Sequence, residues 1–242
     1  MTLGPAAALP GGPAGPDGPP AWMGHLMERL QGQEAAYFAK HRPQPSHRAR
    51  QAAVLMLYGP HDGGGDDVVL TERTAHLRSH AGQVSFPGGR LDPGDHGPID
   101  AALREAEEEI GLDASGVRVL GQLPELFLSA SVSAVTPVLA WWERPGLIFA
   151  HSEEEVARVV RVPVADLLDP ANRFTAVHPS GYRSPAFEVD GLFVWGFTAA
   201  LLSATLDLAG LDTGDWDRDL LREVPHQGAG RQARRHARRE DR

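Results

Sequence analysis

The chain has 242 residues, 42% hydrophobic and 23% charged, with a formal net charge of −9. This is ordinary globular composition, long enough for one large domain or two small ones. The absence of cysteine excludes disulfides, thiolate catalysis and thiolate-held zinc or iron–sulfur, leaves oxygen and imidazole as metal ligands, and is compatible with a reducing cytoplasm, the expected location.

Residues 1–20, MTLGPAAALPGGPAGPDGPP, contain eleven Gly or Pro and lack the basic start and apolar stretch of a secretion signal. They are expected to form a disordered arm ahead of a single domain over 21–226. Residues 22–38 read as an amphipathic helix, 52–58 as a buried strand, and 61–67 (HDGGGDD) as a hairpin-like loop into the strand VVLTER. A long ordered loop rich in Gly and Pro follows over 76–95. Pro98 suits the first position of a helix that runs through Ile110 and stops at Gly111. Strands are expected at 117–123 and 131–142, a short helix near Ser152, strands near 174–178 and 187–194, and a helix over about 196–208. The richest apolar run, LFVWGFTAALL at 192–202, is well short of the ~18 residues of a membrane span and reads as a buried strand entering a helix. This mixture suggests one α/β domain. Residues 227–242 form a basic tail; within it RQARRHARREDR sets six Arg against Glu240 and Asp241, a local +4 that leaves −13 on the other 230 residues. The tail is expected to be a flexible, solvated extension.

The segment REAEEEIGL (104–112) raises the question of chemistry. At about 100° per residue, Glu105, Glu108 and Glu109 share an arc of about 100° and Glu107 lies on the far side. Like charges at these spacings repel by roughly 0.2–0.5 kcal/mol per pair. One reading is a solvated acidic face. The other is a ligand set for a hard divalent cation, and Mg²⁺ suits it because it takes oxygen ligands, keeps waters and bridges carboxylates to substrate phosphates. Gly88 and Gly89 ahead of the helix permit close backbone approach to a ligand, and Arg104 is placed to hold the acids through charge-assisted hydrogen bonds.

Gly89, the acid Asp95 six residues on, then RE, EE and IGL together resemble the Nudix hydrolase box. Asp95 replaces the usual Glu, and eight residues separate it from Arg104. Upstream, LTERTAHLRSHAGQVSFPGGRLDPGD closely resembles the signature of the coenzyme A pyrophosphatase branch, L-T-x-R-x-x-x-L-R-x-H-x-G-Q-V-x-F-P-G-G-x-x-D, a branch that also carries the aspartate and the longer spacer. The resemblance covers roughly 52–208 and neither tail. It implies an α/β/α sandwich with a mixed sheet and a catalytic loop-helix-loop. It further implies an Mg²⁺- or Mn²⁺-dependent pyrophosphatase that cleaves coenzyme A, its thioesters or its oxidised form, to 3′,5′-adenosine bisphosphate and 4′-phosphopantetheine.

By that resemblance Glu105 and Glu109 are first-choice metal ligands, Glu108 is a third ligand or the residue that orients water, and Arg104 holds the set. Glu107 serves as an internal control. Glu153, Glu154 and Glu155 are candidates for a base from a later loop, against a plainer role as the acidic start of a short helix. Arg78 and His80 are expected to contact substrate beside Gly88 and Gly89; His76 lies nearby. Arg73 is open between phosphate and a carboxylate of the fold. Trp141 and Trp142 are candidates to stack adenine, with at least one of them expected in the core because neighbours on a strand face opposite sides; Trp195 reads as core. Alternatives are an enzyme acting on ADP-ribose, a dinucleotide or a nucleoside triphosphate, and a nucleotide-sensing module without turnover. Neither nucleic acid nor membrane is required, and a homodimer remains open.

Overall fold

The computed structural model describes residues 18–32, 36–41, 49–77, 80–129 and 131–225; most of the expected arm, the basic tail and Arg78 lie outside them. The helices are α1 (Ala21–Gly32), α2 (Ala36–Lys40), α3 (Pro98–Ile110), α4 (Val164–Leu168) and α5 (Gly196–Leu208). The strands are β1 (Arg50–Pro60), β2 (Asp66–Arg73), β3 (Val84–Ser85), β4 (Gly88–Arg90), β5 (Val117–Gln122), β6 (Leu126–Leu128), β7 (Ser133–Trp142), β8 (Val156–Pro163), β9 (Arg173–Val177), β10 (Arg183–Val189), β11 (Leu192–Val194) and β12 (Leu221–Glu223).

The long apolar run of β1 is explained by what covers it. Alternate residues of a strand face opposite sides, and both sides of this strand are buried. Ala53, Leu55 and Leu57 join Val69, Val138, Ala140 and Trp142 beneath Ala101, Ala102, Ala106 and Ile110 of α3. On the other face, Met56 and Tyr58 join Val68, Leu70, Leu139 and Trp141 with Met23 and Leu26 of α1 and Leu201, Leu202 and Leu206 of α5. The result is the expected α/β/α arrangement around a mixed sheet. In it β1 runs parallel to β7 (Arg50 opposite Ser133 through Tyr58 opposite Trp141) and antiparallel to β2 at its carboxyl end and β4 at its amino end. A second sheet, in the order β11-β10-β9-β12, contributes Phe187, Val189, Leu192 and Val194 to the α5 side of the core.

Several expectations are corrected. The helix expected over 22–38 is α1 and α2, with 33–35 outside the described residues. The long loop contains β3 and β4, and β6 and β12 are further short strands. Near Ser152 there is a turn rather than a helix, followed by β8, whose Val156, Val159, Val160 and Val162 are β-branched residues suited to its pairing with β2. The strand expected over 187–194 is a hairpin turning at Asp190 and Gly191, both at positive φ (49° and 69°), the conformation a two-residue Asp-Gly turn requires. Trp141 and Trp142 are both buried, on opposite faces of β7, so neither is free to stack adenine. Trp195 packs, partly buried, against the small core cluster of Phe174, Ala176 and Ala186, and stacks on His178 with ring centres 5.6 Å apart. No helix among the described residues is long and apolar enough to cross a membrane.

Candidate functional site

The site begins at a turn that admits no side chain. Leu55 N–H donates to the Pro87 carbonyl at 2.8 Å, and β4 pairs with β1, Ala53 facing Gly89. Gly88 has φ of 152°, and a Cβ there would lie 2.3 Å from the Ala53 carbonyl oxygen and 2.7 Å from Val54 Cα. A Cβ on Gly89 would lie 2.3–2.5 Å from the carboxylate atoms of Glu105. Backbone excludes the first side chain, and the second would have to push the Glu105 carboxylate aside.

The helix that supplies the carboxylates is bounded as its sequence dictates. Pro98 opens α3; Gly111 closes it in the left-handed conformation, its N–H donating to the Glu107 carbonyl and that of Leu112 to Ala106. Three small alanines and Ile110 seat this helix against the sheet, which carries Glu105 and Glu109 to the glycine turn. Glu109 is only 4% exposed and accepts a hydrogen bond from Gly88 N–H at 3.1 Å. Glu105 is half-buried, whereas Glu107 and Glu108 are exposed.

Arg104 organises the outer side of the same turn. Its Nε and Nη2 donate to the two oxygens of Asp95 (3.0 and 3.1 Å), Nη2 also donates to the Arg90 carbonyl, and Nη1 donates to Glu105 and Glu108, each at 3.2 Å. The guanidinium thereby ties the loop before α3 to the helix and holds the Asp95 carboxyl below its usual range. Glu108 is placed here, at an exposed ion pair rather than inside the glycine turn; the shared arc seen on a helical projection does not specify which member faces the sheet.

On the inner side Arg73, at the end of β2, lies 3.7 Å from Glu109 Oε1 through Nη1 and 3.8 Å from Glu155 Oε2 through Nη2. The fold sets two carboxylates beside it. Glu155 belongs to the turn just before β8, so the plainer reading of Glu153–Glu155 as a helix start is overturned, and Glu155 joins the site from a separate loop. Burial pushes the Glu109 carboxyl up to about 7 against the opposing Gly88 N–H and Arg73, with Glu105 and Glu155 reinforcing the rise. Burial likewise raises Glu105, with Arg104 opposing and Glu108 and Glu155 adding to it. Arg73 therefore faces two carboxylates, and the third, Glu105, is paired with Arg104.

The loop between β2 and β3 is closed at its base by backbone hydrogen bonds. Arg73 N–H donates to the Gln83 carbonyl and Gly82 N–H to the Arg73 carbonyl. His80 is exposed, at φ of 57°, with its Nδ1 2.8 Å from Gln83 Oε1; His76 is exposed as well.

Among the described residues no three His, Asp or Glu side chains form a ready-made metal-ligand group. The donor set nevertheless fits a divalent cation, since Mg²⁺ is usually held by one or two carboxylates together with waters and substrate phosphates. Glu105 and Glu109 supply such a pair, and the missing Cβ of Gly89 leaves the Glu105 carboxylate its space.

Comparison with known proteins agrees with this geometry. The NUDIX domain model matches residues 47–183. A protein named "Uncharacterized Nudix hydrolase NudL" from Yersinia enterocolitica serotype O:8 / biotype 1B is 39% identical over 173 residues, spanning 68% of this chain and 86% of the relative. One of the same name from Escherichia coli strain K12 / DH10B is also 39% identical over 173 residues, spanning 66% and 85%. Among solved structures, the Nudix hydrolase RenU from M. smegmatis is 28% identical over 50% of this chain and 74% of its own, with a TM-score of 0.42. The domain match covers more than half of the chain and contains the glycine turn, the acidic helix and Glu155: the chain belongs to the Nudix family.

Proposed function

We propose that this Nudix hydrolase cleaves the diphosphate of coenzyme A, releasing 3′,5′-adenosine bisphosphate and 4′-phosphopantetheine, with Mg²⁺ or Mn²⁺ as the cofactor. The observation that carries the chemistry is the meeting of Glu105 and Glu109 at Gly88–Gly89, where Asp95, Glu105, Glu108, Glu109 and Glu155 carry more negative charge than Arg73 and Arg104 balance. A divalent cation bound there would neutralise phosphate oxygens and acidify a bound water. Glu105 and Glu109 hold the cation, and Arg104 fixes the turn that presents them. Glu155, which reaches the site from a separate loop and is half-exposed, is our candidate to accept a proton from the attacking water.

Substrate choice rests on the pattern LTERTAHLRSHAGQVSFPGGRLDPGD, which contributes Arg73, Arg78 and His80 ahead of the glycine turn. Coenzyme A differs from other adenosine diphosphate derivatives by a 3′-phosphate of nearly −2 charge, which an acidic protein must receive with local cations. Arginine provides two parallel donors for such a group. The test is hydrolysis of coenzyme A, 3′-dephospho-CoA, ADP-ribose, NADH and diadenosine polyphosphates with Mg²⁺. Coenzyme A is expected to show the highest kcat/KM, and Arg78→Ala to narrow its advantage over 3′-dephospho-CoA. A preference for ADP-ribose over coenzyme A would defeat the substrate assignment.

A further inference from the structure

Glu155 reaches the site from a segment that the sheet does not hold. The β2–β8 ladder shifts register between Glu72 and Arg73 and ends with Arg73 opposite Val156. Beyond that rung the chain carries three successive glutamates, whose mutual repulsion favours splaying into solvent, and the Glu155 side chain is 53% exposed. Something other than strand pairing must keep its carboxylate against Arg73.

Thr74 makes those contacts. It is only 6% exposed, and both of its donors are spent on this turn: its N–H donates to the Glu155 carbonyl at 2.9 Å and its Oγ1 to the Glu154 carbonyl at 2.8 Å. The other end of the segment is fastened to the metal helix, where His151 and Ser152 N–H groups donate to the Glu109 carbonyl at 2.9 and 3.4 Å. Residues 151–155 thus span from the last turn of α3 to the residue after Arg73. As a β-branched residue Thr74 has few side-chain rotamers to lose when its hydroxyl is fixed.

We infer that Thr74 is a positioning residue: its hydroxyl holds the Glu154–Glu155 turn so that Glu155 faces the Arg73–Glu109 pair and adds a third negative charge to the cation site. This rests on the metal-dependent reading above. Outer partners of metal-binding groups typically change affinity or activity by 10–100-fold, and because Thr74 acts through a group that is itself half-exposed, the lower end, about tenfold, is expected.

The test is calorimetric titration of the substrate-free protein with Mn²⁺, together with kcat and KM for coenzyme A. Thr74→Val, which keeps the shape and removes the hydroxyl, is expected to weaken Mn²⁺ binding about tenfold and to lower kcat with little change in KM; Thr74→Ser is expected to restore both. Glu155→Gln is expected to weaken Mn²⁺ binding by a similar factor, and Thr74→Val added to it to cost nothing further, because the two act as one unit. Additive losses in the double variant would overturn the inference, as would a Thr74→Val protein that melts earlier yet binds Mn²⁺ like wild type. Thr74→Ala is judged by the same criteria if the valine variant folds poorly. Wild-type protein that binds Mn²⁺ but leaves coenzyme A intact would remove the substrate assignment and leave this inference standing; failure to bind Mn²⁺ at all would remove both.

Discussion

Among the described residues, two of the places where the protein buries charge treat it differently. In the second sheet Arg173, 1% exposed, meets Asp212 at 2.8 Å, donates to Ser203 at 3.0 Å, and lies 5.2 and 4.8 Å from the ring centres of Phe187 and Trp216. One cation meets one anion, and aromatic faces cover the rest. At the glycine turn Arg73 instead faces Glu109 and Glu155 at 3.7 and 3.8 Å, with Glu105 close enough to raise Glu109 further. A buried charge balanced in place belongs to the architecture, and removing one partner leaves the other stranded. A buried charge left in excess marks a site completed by something that binds.

The largest expected effect breaks the second region's chemistry without touching the first. Glu105→Gln is expected to lower kcat on the order of 10²–10³-fold, the scale for losing one preorganised electrostatic group, while circular dichroism shows an unchanged fold. Unfolding on this substitution in place of a clean kinetic loss would return the glutamates to a purely structural role. Gly89→Ala forces the Glu105 carboxylate aside and is expected to cost about 10²-fold in kcat, the size of effect that a misplacement of about 1 Å produces; Gly89→Ala with full activity would show that Glu105 need not occupy the turn. On the architectural side, Arg173→Ala is expected to destabilise the fold by about 3–5 kcal/mol, the cost of breaking a buried pair, read as a lower denaturant midpoint. Glu107→Gln, on the exposed face of the same helix, is expected to leave kcat near wild type and stability within about 0.5 kcal/mol. Equal damage at Glu105 and Glu107 would sink the distinction between the helix faces. Smallest of all, removing residues 1–17 or 227–242 is expected to change kcat/KM by less than about threefold.

Local signals carried much of this into the sequence. Pro98 and Gly111 bound α3 because one fits a helix start and the other a left-handed cap, and both do that work in the structure. The apolar run at β1 declared a buried strand, and the structure covers both of its faces. What stayed hidden depends on contacts between distant segments. Helical angles grouped Glu108 with Glu105 and Glu109, yet only the packing of Ala101, Ala102 and Ala106 decides which of the three meets the glycine turn. The neighbour of Arg73, Glu155, lies 82 positions along the chain, a contact that no local pattern announces. Ser152–Glu155 carries helix-start composition, and the β2 partner waiting for Val156 overrides it. The Asp190–Gly191 dipeptide lies inside a stretch that is apolar apart from Glu188 and reads as one strand.

The most direct test of the difference between the two buried charge centres takes thermal midpoint and Mg²⁺-dependent kcat on coenzyme A from the same preparations of Glu109→Gln and Asp212→Asn. Glu109→Gln is expected to keep the wild-type midpoint within a few degrees and lose activity by orders of magnitude, because it removes a charge that the fold leaves unbalanced. Asp212→Asn is expected to lower the midpoint by several degrees and retain its kcat below it, because it strands Arg173 far from the chemistry. If activity and midpoint fall together in both variants, the two centres are alike, and the excess charge at the glycine turn is not what the enzyme uses.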